Sequence, residues 1–150
     1  MSPTPDKALN NPTYRQVCSG TSGHIEVLDI ELTSNENTQT VFEELCKFFM
    51  QFHDPTTKNR QGNDTGFQYA SVIFTSDDFQ TQIAQKILNE TQALMDQGKI
   101  TSYADKHVQT FLAKYNTFYP AHDEHQDYLM KNPSGYCNHY YRFKTWPVLN

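Results

Sequence analysis

The sequence predicts a single α+β domain of 150 residues in which helices cover a small sheet. Segments with a two-residue apolar period alternate with segments of helical period, and polar stretches separate them. The predicted order is strand, helix, strand, helix, strand, helix. A chain of this length can bury one hydrophobic core, so we expect residues 1–150 to form one domain.

The first predicted strand covers residues 24–33 and follows a loop over residues 1–13, which is rich in proline and asparagine. Ile25 and Val27 would share one face of this strand. Glu26 would lie on the more apolar face, with three leucine and isoleucine side chains. Two interpretations remain open for Glu26: a carboxylate near water at a strand end, or a carboxyl group held in a pocket.

A helix and the second strand follow. Residues 40–52 have helical apolar spacing, and Thr40 with Glu43 predicts a capping box at the start of the helix. Residues 54–66 form a polar loop that is long enough to be functional. Residues 67–75 predict the second strand, which is expected to run parallel to the first because a helix connects them.

The second half begins with the clearest helix, over residues 77–97, with Ser76 as its N-cap and Gly98 at its C-terminal end. The pattern then weakens. The remaining predictions are a strand over residues 107–113, a short helix over residues 122–131 and an irregular tail from Pro133 onward.

Composition restricts the classes of function. The formal charge of −5 and the pI of about 5.6 give no indication of the clustered Lys and Arg residues that a nucleic-acid-binding protein needs. The sequence has no apolar run of membrane-spanning length, and its polar start predicts no secretory signal. Three cysteines are too few for a disulfide scaffold, which favours a reducing, cytoplasmic location.

Two groups of residues could carry chemistry on pattern alone. His122 and His125, separated by two carboxylates, could bind zinc, although their spacing differs from the metal-binding His pair of zincin helices. Ordinary surface histidines are therefore the favoured interpretation, and no metal is predicted. The polar loop brings Asp54, Asp64 and Tyr69 to one end of a strand. This position indicates a ligand-binding loop but does not identify the ligand.

Four segments resemble motifs of the peptide methionine sulfoxide reductase A family. Residues 14–26 read Tyr-Arg-Gln-Val-Cys-Ser-Gly-Thr-Ser-Gly-His-Ile-Glu, and residues 53–56 read His-Asp-Pro-Thr. Residues 59–69 read Asn-Arg-Gln-Gly-Asn-Asp-Thr-Gly-Phe-Gln-Tyr. Residues 118–137 include Phe-Tyr-Pro-Ala, His-Gln-Asp-Tyr-Leu, Lys-Asn-Pro and Gly-Tyr-Cys. The motifs occur in the family's order, so the chain is identified by resemblance as a member.

The resemblance implies a ferredoxin-like two-layer fold and thiol-dependent reduction of methionine (S)-sulfoxide, free or in proteins, as a repair of oxidative damage. A cysteine thiolate attacks the sulfoxide sulfur, and the departing oxygen must gain protons. By resemblance Glu26 is the carboxylic acid, with Tyr14 and Tyr69 as hydroxyl donors, and Asp64 orders the site. Substrate contacts are assigned to His125 and Tyr136.

The resemblance also implies how the enzyme is returned to its reduced state. Cys137 matches the resolving cysteine, which converts the sulfenic acid of the nucleophile into a disulfide. Thioredoxin then reduces this disulfide, so thioredoxin is the expected partner and no bound cofactor is needed. A monomer is expected.

One family motif has no counterpart. The sequence contains no Gly-Cys-Phe-Trp-Gly segment, which in the family carries the nucleophilic cysteine and the apolar methyl pocket. We therefore expect a chain truncated at its N-terminus, without a strand and a helix of the family's sheet and with exposed apolar surface. Cys18 and Cys46 are not expected to replace the nucleophile. The alternative is a non-catalytic relative that binds oxidised methionine or a protein partner.

Overall fold

The computed structural model describes residues 1–33 and 37–149, and it confirms the predicted mixture of helices and a small sheet. Three short 3₁₀ turns accompany the main elements, at Pro5–Lys7, Phe67–Tyr69 and Asp123–His125. The helices are α1 (Tyr14–Cys18), α2 (Thr38–Phe52), α3 (Asp78–Asp96) and α4 (Tyr128–Lys131); the strands are β1 (Arg60–Gln61), β2 (Asp64–Thr65), β3 (Val72–Thr75) and β4 (Phe111–Lys114).

The strands form two pairs. β3 and β4 run parallel, with Val72 opposite Phe111, and α3 connects them along the chain. β1 and β2 form an antiparallel hairpin inside the polar loop that was predicted over residues 54–66. The predicted parallel pairing of residues 24–33 with residues 67–75 is therefore wrong, because the second of these segments pairs with the third predicted strand.

Residues 24–33 belong to no helix or strand in the structure. Their alternating pattern would give a strand two different faces, but a strand also needs a neighbour that completes its hydrogen-bond ladder. Here the Ile25 amide donates to the Met1 carbonyl at 2.8 Å, and the Glu26 amide donates to the Gln68 carbonyl at 2.9 Å. Further along, Leu28 is 83% exposed and Ile30 is 51% exposed, so the expected exposed apolar surface is present.

The core lies on both faces of the β3–β4 pair. On one face, Ile73 and Leu112 pack against the cluster where α2 meets α3, and Trp146 of the tail joins them. On the other face, Val72 packs with Ile25. This alternation follows from the two-residue period of a strand. The buried members of the helical cluster are Cys46, Met50, Ala84, Ile87 and Leu88.

Helix α3 matches its predicted range, but its N-cap is Asp77 and not Ser76. The Asp77 carboxylate accepts the Gln80 amide at 2.7 Å. At the other end Gly98 has a φ of 69°, and its amide donates to the Met95 carbonyl. A left-handed residue at this position is what glycine tolerates best, so the sequence signal at the C-terminal end was correct.

Helix α2 begins two residues earlier than predicted, at Thr38, which places Thr40 inside the helix and removes the predicted capping box. Glu43 instead forms salt bridges with Lys47 at 3.0 Å and with Lys86 of α3 at 3.2 Å. The sequence pattern of α2 could not show whether Glu43 caps the helix or forms salt bridges, because Lys86 belongs to another helix.

The C-terminal third contains little regular structure, as predicted. The expected helix over residues 122–131 is divided into a 3₁₀ turn and α4, because Asp127 takes a φ of 53° between them. Within the described range, the tail after α4 has no helix or strand. It lies across α2, where the Arg142 amide donates to the Gln51 carbonyl at 2.8 Å. None of the described helices is both long and apolar enough to span a membrane.

Candidate active site

Helix α1, which the pattern did not predict, places Tyr14 in the site. The Thr13 hydroxyl and the Gln16 side chain form a capping box, which is why so short a helix begins at this point. The Tyr14 ring stacks on His125 with centroids 4.4 Å apart, and its second aromatic contact is His122 at 5.6 Å. The α1 motif and the 3₁₀ turn before α4 are thus brought together.

Glu26 reaches the same place from the segment that follows α1. Its amide is fixed by the Gln68 carbonyl. The residue is exposed on one side, so the described residues do not enclose it in the buried pocket that one interpretation required. The carboxyl group is nevertheless partly desolvated, and this desolvation raises its pKa; the charge of Asp64 raises it further, and His125 opposes both effects.

Two tyrosine hydroxyls accompany this carboxyl group. A hydrogen bond to the Cys18 thiol, then desolvation, raises the pKa of Tyr14 to about 12. Desolvation raises the pKa of Tyr69, and the neighbouring carboxyl groups of Glu26 and Asp64 raise it further. Both phenols are therefore held in the protonated form at neutral pH, in which they can donate hydrogen bonds to an acceptor.

Asp64 lies on β2 and is held by the C-terminal tail. Its Oδ2 accepts a hydrogen bond from Asn138 Nδ2 at 2.5 Å. The hydroxyl of Tyr136 donates to Asn138 Oδ1, also at 2.5 Å. Tyr136 is therefore connected to the site through Asn138, and Cys137 lies between these two residues in an exposed position.

Gln68 connects the end of α1 to the segment that carries Glu26. Its side-chain Nε2 donates to the Cys18 carbonyl at 3.0 Å, while its backbone carbonyl holds Glu26. The Gln68 side chain is buried where glycine leaves room: a Cβ built on Gly66 would lie 2.3 Å from Gln68 Oε1. Sequence reasoning missed Gln68 and Asn138, although the close-set glycines of the loop were a signal that side chains approach the backbone there.

Several candidates lie elsewhere or take other roles. Asp54 is buried, and its carboxylate accepts the Thr56 hydroxyl at 2.5 Å and the Ala104 amide at 2.9 Å, so it fixes loops outside the site. Cys46 is 3% exposed, and burial raises the pKa of its thiol to about 12, as expected for an inert cysteine. Cys18, by contrast, lies at the site beside Tyr14.

The zinc alternative gains no support from the geometry. His122 and His125 face the Tyr14 ring, and the nearest carboxylate contact of His122 is Glu124 at 4.0 Å. Within the described ranges, no group of three or more His, Cys, Asp or Glu side chains is arranged to hold a metal ion. The two histidines instead make aromatic contacts with the Tyr14 ring.

Taken together, these residues can stabilise and protonate a small polar oxygen. A carboxyl group with a raised pKa supplies a proton, and two protonated phenols supply hydrogen bonds. The nearby Asp64 charge favours the acid form of Glu26. His125, Tyr14 and Asp64 come from segments far apart in sequence, and only the fold brings them together.

Comparison with known proteins gives one consistent family. The family model described as peptide methionine sulfoxide reductase matches residues 6–148. A probable peptide methionine sulfoxide reductase of Schizosaccharomyces pombe is 40% identical over 139 residues, covering 92% of this chain and 75% of the relative. The MsrA protein of Polynucleobacter asymbioticus is 43% identical over 131 residues, covering 87% and 64%.

Solved structures agree with this result. Methionine sulfoxide reductase A of Corynebacterium diphtheriae has a TM-score of 0.70 at 37% identity, covering 87% of this chain and 61% of that one. Mxr1 of Saccharomyces cerevisiae, in its reduced form, has a TM-score of 0.71 at 34% identity, covering 92% and 72%. The chain thus spans between about three fifths and three quarters of the length of these four relatives.

Proposed function

Because the chain belongs to the peptide methionine sulfoxide reductase family, we propose that it serves the thiol-dependent reduction of methionine (S)-sulfoxide, free or in proteins, to methionine. The observation that carries the proposal is the position of Glu26. Its carboxyl group has a raised pKa, and it is coupled electrostatically to Tyr14, Tyr69 and Asp64. This group of four side chains is the one that the resemblance assigns to the reaction.

In the proposed reaction a thiolate attacks the sulfoxide sulfur, and the sulfur–oxygen bond of the substrate breaks. Glu26 in its acid form donates a proton to the oxygen, and the hydroxyls of Tyr14 and Tyr69 donate hydrogen bonds to it. The attacking sulfur then takes over the oxygen with this proton as its new bond to the substrate sulfur breaks, so the substrate leaves as a thioether and the attacking thiolate becomes a sulfenic acid. Desolvation and the charge of Asp64 raise the pKa of Glu26 and so favour its acid form before the attack.

Cys137 is the proposed resolving residue. Its thiol attacks the sulfenic sulfur, a disulfide forms and water leaves. A thioredoxin dithiol then reduces the disulfide by exchange. The exposed position of Cys137 supports this role, because both the sulfenic acid and an external dithiol must reach it. We further propose that His125 and Tyr136 contact the substrate, and that the protein acts as a monomer in the cytoplasm.

The attacking thiolate is the one group that the sequence does not supply in its family motif, since Gly-Cys-Phe-Trp-Gly is absent from the 150 residues. The test compares this chain with a chimera that begins with a segment bearing that motif. Methionine formation from N-acetylmethionine (S)-sulfoxide is measured with dithiothreitol as reductant. We expect turnover of the S epimer by the chimera, and none by a matched chimera with serine in place of the motif cysteine. A folded chimera that leaves the S epimer unreduced contradicts the proposal.

A second candidate is a relative that binds oxidised methionine without reducing it. Its support is that Glu26, Tyr69 and Asp64 interact electrostatically at one site, where they can hold a sulfoxide oxygen without an attacking thiolate. Calorimetry of the chain with methionine (S)-sulfoxide peptides tests this candidate, with the R epimer as control. Binding of the S epimer without turnover favours it, and an absence of heat rejects it.

A further inference from the structure

The side chain of Asn138 joins the C-terminal tail to the β1–β2 hairpin through its whole amide group. Its Nδ2 donates to Asp64 Oδ2 at 2.5 Å and to the Gln61 carbonyl at 2.8 Å. Its Oδ1 accepts from the Tyr136 hydroxyl at 2.5 Å. An amide nitrogen has two hydrogens to donate, so both are used in these contacts.

The hairpin has a glycine where this amide approaches. Gly62 has a φ of 58°, and a Cβ built on it would lie 2.5 Å from Asn138 Oδ1 and 2.7 Å from its Cγ. Any larger residue at position 62 would therefore push the amide away from the hairpin. Gly98 has a similar φ of 69° but nothing within 4 Å of its built Cβ, which makes it a matched control for backbone strain alone.

The charge of the donor also matters. Asp64 raises the pKa of Glu26 because it is negative. A lysine or arginine in place of Asn138 would orient the carboxylate but would cancel much of its charge. A neutral amide orients Asp64 and leaves the charge in place, so the pKa of Glu26 stays raised.

We propose that Asn138 is a positioning residue of this site, which orients the Asp64 carboxylate and holds the neighbouring Cys137 thiol at the edge of the site. Cys137 is bonded directly to Asn138, so its Cα lies about 3.8 Å from that of a residue in contact with Asp64. The expected effect of Asn138 on substrate binding rests on the proposed function. The placement of the tail by Asn138 can be tested without any substrate.

The first measurement is the mobility of the C-terminal tail at Cys137. A nitroxide label on Cys137 reports local mobility by electron paramagnetic resonance, in chains where Cys18 is replaced by serine so that one accessible thiol remains. We expect an immobilised label in the otherwise unchanged chain and a mobile label in Asn138→Ala and Gly62→Ala. Gly98→Ala should leave the label immobilised. Trp146 fluorescence, which reports tail packing near Glu90, should stay constant in all of them.

The second measurement is binding of a methionine (S)-sulfoxide peptide, by calorimetry on chains that keep all three cysteines. We expect Asn138→Ala and Gly62→Ala to weaken binding roughly tenfold, because the loss of a hydrogen bond to a charged group leaves Asp64 unoriented. Gly98→Ala should bind like the unchanged chain.

A pH profile separates positioning from general structural support. Asn138→Asp places a second carboxylate against Asp64, which also faces Glu26, Tyr69 and His139, and two such carboxylates can share one proton only at acidic pH. The label in this variant should be mobile at pH 7.5 and should become immobilised near pH 4.5, while the unchanged chain stays immobilised at both.

Two outcomes of these measurements would overturn the role proposed for Asn138. An immobilised label in Asn138→Ala overturns it, and so does a mobile label with unchanged sulfoxide binding, because Asn138 would then fasten the tail without affecting the site. If the unchanged chain binds no sulfoxide peptide, the second candidate function is rejected, and the reductase proposal is still decided by the chimera. In that case the mobility of the label still decides whether Asn138 holds the Cys137 segment.

Discussion

At the scale of single residues, environment determines what Glu26 can do. A carboxyl group in water is ionised at neutral pH and donates no proton. Partial desolvation and the charge of Asp64 both favour its neutral form, while His125 favours ionisation. The pKa of Glu26 is raised even though the residue remains exposed on one side, so a closed pocket is not required for the shift.

Replacing Glu26 by glutamine should remove the proton donor while keeping the shape of the side chain. We expect the rate of (S)-sulfoxide reduction, measured in the chimera that carries the nucleophile motif, to fall by about 10² to 10⁴-fold. Glu31→Gln, a change at an exposed carboxylate of the same segment, is the control and should leave the rate unchanged. Equal losses in both variants would remove Glu26 from its proposed role.

The same group sets the sign of the pH dependence. Because the acid form of Glu26 is the active one and its pKa is raised, activity should persist above the ordinary carboxyl range and fall as the pH rises through the raised pKa. Neutralising Asp64 as asparagine should move this fall to lower pH, since a cause of the raised pKa is removed. A pH–rate profile that does not move in Asp64→Asn would contradict the coupling.

At the scale of elements, capping determines where helices begin. In α3 the residue that caps is Asp77, whose carboxylate accepts the Gln80 amide, while the Ser76 amide donates to the Gln80 side chain. Asparagine, aspartate and serine are almost equally good N-caps, so two adjacent candidates cannot be separated by residue type. The position of the first turn decides between them.

Asp77→Ala should therefore lower the free energy of unfolding by about 1 kcal/mol, the usual loss on removing an N-cap side chain. Ser76→Ala removes a hydroxyl from the position before the cap, and we expect a change within about 0.5 kcal/mol. Urea denaturation followed by circular dichroism measures both. If Ser76→Ala proves the more costly change, the cap assignment is wrong.

At the scale of the whole molecule, His53 connects the end of α2 to the start of the parallel sheet. Its Nδ1 donates to the Phe49 carbonyl at 2.5 Å, and its Nε2 accepts the Ser71 hydroxyl at 2.7 Å. Ser71 continues the chain of hydrogen bonds to Thr110 at 2.6 Å. Burial lowers the pKa of His53 to about 4, so it is neutral in the folded protein at neutral pH.

This histidine should make the stability of the protein depend on pH. Between about pH 6.5 and pH 4 the unfolded state binds a proton at His53 that the folded state excludes, so stability is complete above this window and decreases as the pH falls through it. The loss should be about 3 kcal/mol. His53→Gln should flatten this part of the profile, whereas exposed His107→Gln should leave it unchanged; identical slopes in both would contradict the assignment.

Amino-acid patterns alone located α2 and α3, the strands around residues 72–75 and 111–114, and the motifs that indicate the family. These features are local, because apolar periodicity and capping residues act within a few turns of chain. The motifs also indicated Glu26 and Tyr69 as site residues, but they did not show how the two side chains come together.

The pairing of strands and the meeting of distant site residues could be read only from the folded chain. Residues 24–33 have a strand pattern but no ladder, since a strand depends on a partner that its own sequence does not specify. Tyr14 meets His125, and Asn138 meets Asp64, across 111 and 74 positions of sequence. Such contacts follow from how the core closes, and the desolvation and charge that raise the pKa of Glu26 exist only after it has closed.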